Sequence, residues 1–484
     1  MGKTSREKNF LKSTFILAFG TFLPKLASFI TLPIYTGELT KDEYGTFDLI
    51  TVLCTLLLPV ATLQVQSAVF RFLVDYRDNR EKQNAIITLL YVFVIPISIV
   101  VLIILYFALY KLSPFLRILI IIYYFADILL AVTRQVARGL SKNHIYSVSA
   151  IINSFLNMIL VIILLVYYKT GLNGLVASLT VSATVSFIYI FVALKTWQFF
   201  DTKRITKKLF KQIIGYSWPM VPNSISLWIV RMSDRLIILA YMGAAANAIY
   251  AAANKIPTLL QLAQNTFSMA WSESASLTIK DKDADQYYTQ MFRILHRVLA
   301  GFAAMLMAVQ PLLFRILIRG DYAESYIHIS ILIIGSFFSN IAVYLGGIYI
   351  ANMRTKSIGI TTVISAALNF IINILFIKKI GVFAATLSTA ISYLFLMVYR
   401  LIDVRKFQKI QYPIMEMVIT NLILIGMCIM CGFRTVPFYC INLVIGCVMF
   451  VVLNKELLIK TKDLAFKILH KVIDRIKSRK IKSR

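Results

Sequence analysis

The sequence predicts an all-α, polytopic membrane protein with fourteen transmembrane helices. Of the 484 residues, 59% are hydrophobic and only 15% are charged, whereas soluble proteins have about 45–50% apolar and 25% charged residues. Apolar runs recur along the whole chain, and the basic residues between them are unequally divided between the two predicted membrane faces. This composition excludes a soluble enzyme, a disordered chain and a nucleic-acid-binding protein whose charge lies on a water-facing fold.

The apolar runs set the number of predicted spans. A helix needs about 20 mostly apolar residues to cross a bilayer. The segments that meet this requirement are 12–36, 44–70, 85–109, 115–138, 145–168, 173–194, 212–241, 246–273, 291–314, 325–350, 357–377, 381–399, 411–432 and 435–454. The first has too long an apolar run for a cleaved signal peptide. Pro219 and Pro222 predict that the span 212–241 is kinked.

The distribution of Lys and Arg predicts the orientation of the chain. There are 51 basic residues against 22 acidic ones. With the N-terminus placed inside, 38 of the basic residues lie at the inner face and 9 at the outer face. Because short cytoplasmic segments carry the excess of positive charge, we expect a multi-pass protein of the cell (plasma or inner) membrane with both termini in the cytoplasm.

An internal repeat predicts two six-helix lobes, residues 1–210 and 211–410. Three short matches recur in the same order: 44–48 with 247–251, 156–159 with 368–371, and 174–178 with 381–385. An even number of helices per copy gives both copies one orientation, so we expect a pseudo-twofold axis along the membrane normal. Residues 411–455 add two spans. Residues 456–484 form a basic, amphipathic tail that we expect to bind anionic lipids at the cytoplasmic surface.

Four basic residues lie within predicted spans, and the topology does not explain them: Lys25, Arg231, Arg235 and Lys255. A cation at the bilayer centre costs about 2.5–3.5 kcal/mol on insertion scales, so such residues usually face a water-filled cavity or an anion. Arg231 and Arg235 are one turn apart on one helix face. Asp234 lies next to Arg235, so an ion pair is an alternative to a ligand role for these two arginines.

Other charged residues in or near the spans are candidates for secondary roles. Three carboxylates are candidates for ion coupling, by a proton or Na⁺, or for charge partners of the buried cations: Asp48, Asp127 and Asp234. Arg71 and Glu273 occupy similar positions at the inner ends of the second and eighth spans. They are candidates for an inner gate, although interfacial charges are common. We predict no catalytic residue, no metal site and no cofactor.

The segment Tyr216–Asn223 (YSWPMVPN), with Asp234-Arg235 and then Ile249–Ile256 (IYAAANKI), is the most distinctive part of the sequence. With fourteen spans arranged as six, six and two, it resembles the polysaccharide transporters, or O-antigen flippases, of the multidrug/oligosaccharidyl-lipid/polysaccharide exporter superfamily. The resemblance implies a MATE-like pair of lobes around a central lumen. It also implies movement of a polyprenyl-diphosphate-linked oligosaccharide from the inner to the outer leaflet for cell-surface polysaccharide synthesis.

The resemblance suggests roles for the candidate residues. In related flippases, cations on the first and eighth helices face the lumen, and Lys25 and Lys255 match them. We therefore expect these two residues, with Arg231 and Arg235, to bind the diphosphate. Trp228, near mid-span, is a candidate sugar contact, and alternating access between the lobes is the expected mechanism. Polysaccharide-assembly proteins are further candidate partners of the basic tail, and no nucleic acid is expected to bind.

Three alternatives remain at this level. A cation-coupled multidrug antiporter of the same fold would need an acidic lumen; the four cations argue against it, and Asp127 supports it. A membrane glycosyltransferase or polymerase would need carboxylates on a substantial outer loop, and no predicted outer loop is long enough. A scaffold for an envelope-assembly complex would not need buried lysines.

Overall fold

The computed structural model describes residues 27–76, 78–261, 281–352 and 354–455, with single residues at 268, 271, 274, 275, 278, 279 and 458. In these ranges the chain is largely helical, without a β-strand. Backbone contacts divide it into two compact units. The first contains the chain up to Ala252 together with Ile316–Tyr322, and the second contains Ala253–Arg315 and the chain from Ala323 onwards.

The first unit is built from successive helices. They are α1 (residues 27–38), α2 (Lys41–Thr62), α3 (Val65–Asp75), α4 (Arg80–Ala108), α5 (Pro114–Gly139), α6 (Asn143–Val161, followed by the π-helix Ile162–Tyr167), α7 (Gly171–Ala193), α8 (Lys207–Ser217) and α9 (Met220–Lys255). Short turns join them, except between α7 and α8, where two 3₁₀ helices, Thr196–Phe199 and Thr202–Arg204, form a longer connection. The last three residues of α9 belong to the second unit.

Local sequence signals explain where several of these helices begin. Thr40 and Glu43 form a capping box at the start of α2, in which each side chain accepts a hydrogen bond from the backbone N–H of the other residue. Ser113 caps α5 immediately before Pro114, whose fixed φ suits the first helical position. Pro219 lies between α8 and α9. The interruption predicted from the prolines in this span is therefore present.

Helix α5 is the central helix of the first unit, since it packs against α2, α3, α4, α6 and α7. The buried hydroxyl of Tyr124 on α5 donates to the carbonyl of Ile50 on α2 at 2.5 Å. Tyr91 on α4 and Thr133 on α5 share a buried hydrogen bond of 2.6 Å. The outward faces are apolar; Ile104, for example, is 64% exposed. Such faces are suited to lipid rather than water.

Segment Ile316–Tyr322 groups with the first unit because it contacts the last turn of α1 and the first residue of α2. The backbone N–H of Arg319 donates to the hydroxyl of Thr36 at 2.8 Å, and Lys41 forms a 2.9 Å ion pair with Asp321. Gly320 has a φ of +70°, and a Cβ atom there would lie 2.5 Å from the carbonyl oxygen of Thr36. A glycine is therefore required at this position for both conformation and space.

The second unit has α12 at its centre. Its helices are α10 (Ala284–Ala308), α11 (Gln310–Leu317, whose last two residues group with the first unit), α12 (Ser325–Ala351), α13 (Thr355–Ile380), α14 (Val382–Val404), α15 (Ile414–Phe433) and α16 (Val436–Lys455). Helix α12 packs against α10, α13, α14 and α15. Arg297 on α10 makes a bidentate ion pair with Glu416 on α15, with N–O distances of 2.9 and 2.8 Å. This pair joins an added span to the rest of the unit.

Twelve helices within the described part of the chain are long and apolar enough to cross a membrane. One of these, Met232–Lys255, covers parts of two predicted spans, 212–241 and 246–273. It contains Gly243, whose φ of 84° and ψ of −177° are not helical. The predicted span 12–36 lies mostly outside the described residues. The all-helical membrane class is confirmed, whereas the count of fourteen spans stays a prediction.

The two predicted lobes, 1–210 and 211–410, also stay a prediction. The two units are defined by compactness, and their boundary at Ala252 is not a test of the sequence repeat. The basic tail beyond residue 458 lies outside the described residues, so its contact with anionic lipids stays a prediction too.

Candidate functional site

A row of polar contacts joins α2, and the residues that follow it, to α9 within the first unit. We call this row the polar seam. It consists of the contacts Gln64–Ser224, Thr55–Trp228, Asp48–Arg235 and Asp48–Asn247. Residue numbers fall along α2 as they rise along the first part of α9, so the two helices run antiparallel. Polar side chains inside apolar spans are costly and commonly mark functional positions.

The ion pair between Asp48 and Arg235 lies at one end of the seam. Arg235 Nη1 lies 2.9 Å from Asp48 Oδ1, and the two side chains are 18% and 6% exposed. Asn247 Nδ2 donates to the other oxygen, Asp48 Oδ2, at 3.3 Å. Asp48 therefore forms an ion pair with one of the cations predicted within the spans, and its predicted part in ion coupling stays a prediction. Arg235 pairs with this carboxylate, 187 residues away in the chain; its predicted contact with a diphosphate stays a prediction.

Asp234, the other carboxylate on this stretch of α9, is buried beside Tyr250. The hydroxyl of Tyr250 donates to Asp234 Oδ2 at 3.0 Å. On a straight helix these residues, 16 apart in sequence, would be about 24 Å apart along the axis. The chain therefore folds back between them, at Gly243, whose positive φ is the conformation that glycine adopts readily. Ion coupling by Asp234 stays a prediction.

Asp127 lies half-buried on α5. Its Oδ2 accepts a hydrogen bond from the thiol of Cys54 at 3.4 Å. Arg134, two turns further along α5, donates to the hydroxyl and the carbonyl of Ser149, at 3.1 Å each. A thiol is a weak hydrogen-bond donor, and the guanidinium of Arg134 donates to Ser149 rather than to Asp127. Ion coupling by Asp127 stays a prediction.

Trp228 is buried, with 8% of its surface exposed. Its indole N–H donates to the Thr55 hydroxyl at 2.9 Å and to the Val52 carbonyl at 3.2 Å. The polar edge of the ring thus joins α9 to α2 in the seam. The predicted contact of Trp228 with a sugar stays a prediction.

We expect Trp228→Phe to lower stability modestly and to leave transport intact, because it removes one buried hydrogen bond, worth about 1 kcal/mol. The measurement is the melting temperature of purified protein in detergent, together with transport in vesicles. Trp197→Phe is the matched control, since Trp197 belongs to the same unit and is 47% exposed. A loss of transport at an unchanged melting temperature would instead favour the sugar-contact role.

Several predicted residues lie outside the described residues or apart from the seam. Lys25, Glu273 and the side chain of Arg231 are outside the described part of the chain. Lys255 is half-buried in the second unit, and its backbone carbonyl accepts a hydrogen bond from the Thr258 hydroxyl. Whether these cations converge on one site stays a prediction.

Arg71 is paired locally. Its Nη1 lies 2.6 Å from Asp75 Oδ1, one turn along α3, and both side chains are about half exposed. An exposed, locally paired arginine of this kind is also what an ordinary interfacial charge would show, which is the alternative to a gate. Its proposed gate contact with Glu273 stays a prediction.

Sequence reasoning missed a buried cation in the second unit. Arg400 on α14, placed at the inner face by its position near the end of an apolar run, is only 3% exposed. Its guanidinium donates to the carbonyls of Ala342 and Ile358 and to the hydroxyls of Thr361 and Thr362, at 2.7–3.3 Å. Among the described residues no carboxylate lies within ion-pair distance of it. Backbone and hydroxyl oxygens satisfy its donors instead.

Sequence reasoning also missed the interruption between α2 and α3. Leu63 and Gln64 both adopt the left-handed conformation, with φ values of 46° and 58°. For a residue other than glycine this conformation costs roughly 1–2 kcal/mol. The available signal is the polar group Gln64, Gln66 and Ser67 inside the apolar run 44–70. The interruption places Gln64 opposite Ser224 in the seam.

Solved structures share this fold. The lipid II flippase MurJ in an inward closed conformation aligns with a TM-score of 0.70 and 15% identity, over 93% of this chain and 100% of that one. An inward-facing multidrug-resistance MATE-family transporter aligns at 0.64 and 13% identity, over 81% and 97%. A MOP superfamily transporter from Pyrococcus furiosus aligns at 0.56 and 12% identity, over 82% and 95%. Identities this low establish the fold alone.

The apolar helices and the shared fold define an all-helical, multi-pass membrane protein. No curated protein sequence matches the chain significantly. A family model described as "Polysaccharide biosynthesis protein" matches residues 10–272, more than half of the chain. The chain therefore belongs to the polysaccharide biosynthesis protein family.

Proposed function

We propose that the protein is a flippase that moves a polyprenyl-diphosphate-linked oligosaccharide from the inner to the outer leaflet of the cell membrane, for cell-surface polysaccharide synthesis. The observation that carries this proposal is the family match over residues 10–272. That segment contains all four cations predicted within spans, Lys25, Arg231, Arg235 and Lys255. The likeness of the fold to a lipid II flippase supports the same class of substrate.

The diphosphate is the part of this substrate that most needs the protein. An anion carrying two phosphates is strongly disfavoured in hydrocarbon, and cations held at depth offset that cost. Arg235 is neutralised by Asp48, so we assign the main role in diphosphate binding to Lys25, Arg231 and Lys255. The glycan needs water and hydrogen-bonding groups, while the prenyl tail stays in lipid.

The polar seam supports alternating access as the mechanism. It joins α2, in the predicted first lobe, to α9, in the predicted second lobe. Opening the site towards the outside would require the Asp48–Arg235 end of the seam to part. An inside-negative potential favours outward movement of an anion by about 2.3 kcal/mol per charge per 100 mV. Asp127 and Asp234 are the candidates for coupling to a proton or Na⁺ gradient.

The test is reconstitution in vesicles with a labelled polyprenyl-diphosphate-linked saccharide. We expect Lys25→Glu and Lys255→Glu each to reduce translocation at least tenfold, because each replaces an attractive charge at depth with a repulsive one. Lys378→Glu and Lys379→Glu are the matched controls, since both lysines lie at the end of α13, and they should transport normally. Equal translocation by correctly inserted Lys25→Glu and Lys255→Glu proteins would contradict the diphosphate site.

A cation-coupled multidrug antiporter is the second candidate, because the fold is also that of MATE-family transporters and Asp127 is a half-buried carboxylate. This function predicts uptake of cationic dyes into the same vesicles and no movement of the lipid-linked saccharide. The flippase predicts the reverse.

A further inference from the structure

The interruption between α2 and α3 lies at the Gln64–Ser224 end of the polar seam. Thr62 ends α2, Val65 begins α3, and the left-handed residues Leu63 and Gln64 lie between them. Discontinuous helices in transporters commonly line binding sites, because their freed backbone groups need partners.

Five polar side chains surround this interruption, and none of them is ionisable: Thr62, Gln64, Gln66, Ser67 and Ser224. Gln64 is the centre of the group. Its Nε2 donates to Ser224 Oγ at 3.0 Å, and its Oε1 accepts from Ser67 Oγ at 2.8 Å. The same Oε1 lies 3.5 Å from Gln66 Nε2. The amide of Gln66 is therefore directed towards the interruption.

One acceptor in this group, Gln66 Oε1, has no hydrogen-bond partner among the described residues. Gln66 is only 5% exposed. A buried carbonyl oxygen in this state normally receives a hydrogen bond from a ligand or from water. Gln64, Ser67 and Ser224 are half-buried rather than enclosed, so the polar group extends from the buried Gln66 amide to the surface of the unit.

The chemistry of the group favours a neutral ligand that both donates and accepts hydrogen bonds. Amides and hydroxyls provide no charge to bind a phosphate. The next ionisable side chain along α3, Arg71, lies one turn beyond Ser67 and is paired with Asp75. Sugar hydroxyls both donate and accept, which suits the free acceptor and the half-buried hydroxyls.

We propose that the interruption between α2 and α3 is a saccharide subsite, in which a sugar hydroxyl donates to Gln66 Oε1 and other hydroxyls bind Gln64, Ser67 and Ser224. The proposal rests on the proposed function and adds to it the residues that bind the glycan. It assigns recognition of the sugar to neutral side chains of the first unit and leaves the diphosphate to the cations.

The test compares two probes on full-length protein in nanodiscs: undecaprenyl diphosphate, and undecaprenyl diphosphate carrying N-acetylglucosamine. We expect the wild type to prefer the sugar-bearing lipid. Gln66→Leu should reduce that preference about tenfold, the effect of losing one buried hydrogen bond, with unchanged affinity for the bare lipid. Asn340→Leu is the matched control. Asn340 is a 2% exposed amide of the second unit, also without a hydrogen-bond partner among the described residues, and its loss should leave the preference unchanged.

A second variant tests the subsite in case Gln66→Leu does not fold. Ser224→Ala removes a half-buried hydroxyl and should reduce the preference about threefold with normal binding of the bare lipid. The subsite is overturned if the folded variants keep the wild-type preference or weaken both lipids equally. A wild type that binds both lipids equally overturns the subsite alone, whereas a wild type that binds neither overturns the proposed function with it.

Discussion

Asp48→Asn is expected to destabilise the protein strongly and to abolish transport. Asp48 is 5% exposed and is paired with Arg235 at 2.9 Å, so its neutralisation leaves a guanidinium without its carboxylate inside the unit. Removing one partner of a buried ion pair costs about 3–5 kcal/mol. We expect the melting temperature in detergent to fall by about 5 °C or more and saccharide-lipid translocation in vesicles to be lost.

The double variant Asp48→Leu/Arg235→Met separates stability from transport. Replacing both members of a buried pair with apolar residues is often neutral for stability, so its melting temperature should return close to that of the wild type. We expect transport to remain impaired. Charged side chains are stable both when paired inside the protein and when separated in water, whereas Leu and Met would resist the exposure to water that opening of the seam requires. Full recovery of transport would mean that the pair serves stability alone. A melting temperature unchanged by Asp48→Asn would contradict the pairing itself.

Gly45→Ala is expected to have the second large effect. A Cβ atom on Gly45 would lie 1.9 Å from the carbonyl oxygen and 2.6 Å from the carbonyl carbon of Ala244. Both are backbone atoms, which cannot rotate away. Relieving the overlap requires α2 and the turn after Gly243 to separate by about 1 Å, and we expect a cost of about 3 kcal/mol or more.

The consequence of Gly45→Ala extends along the seam. Asn247 donates to the carbonyl of Gly45 at 3.2 Å as well as to Asp48, so the same displacement weakens the ion pair one turn further along α2. We expect a lower melting temperature, poor yield and reduced transport. Gly215→Ala is the matched control, since no atom lies within 4 Å of its Cβ position. In helix α8 alanine should be neutral or slightly stabilising, and similar losses in both variants would refute the steric explanation.

Much of the helical framework follows from the amino-acid sequence, because the forces that set it are local. Each span satisfies its own backbone hydrogen bonds, so apolar length indicated where helices lie, and Pro219 indicated where one is interrupted. The same reasoning identified Asp48, Asp234 and Arg235 as unusual charges within spans. It could not show which of them pair, since Arg235 lies beside Asp234 in sequence and binds Asp48 in the structure.

The sequence by itself determined that this is an all-helical, multi-pass membrane protein and which of its residues are too polar for lipid. Only the tertiary structure decided that Arg235 is neutralised, that Arg400 is buried on backbone and hydroxyl oxygens, and that α2 is interrupted at Leu63 and Gln64. The reason is physical. Helix formation in a membrane depends on each segment alone, whereas the partner of a buried polar group depends on which helix faces meet, often across more than a hundred residues of chain.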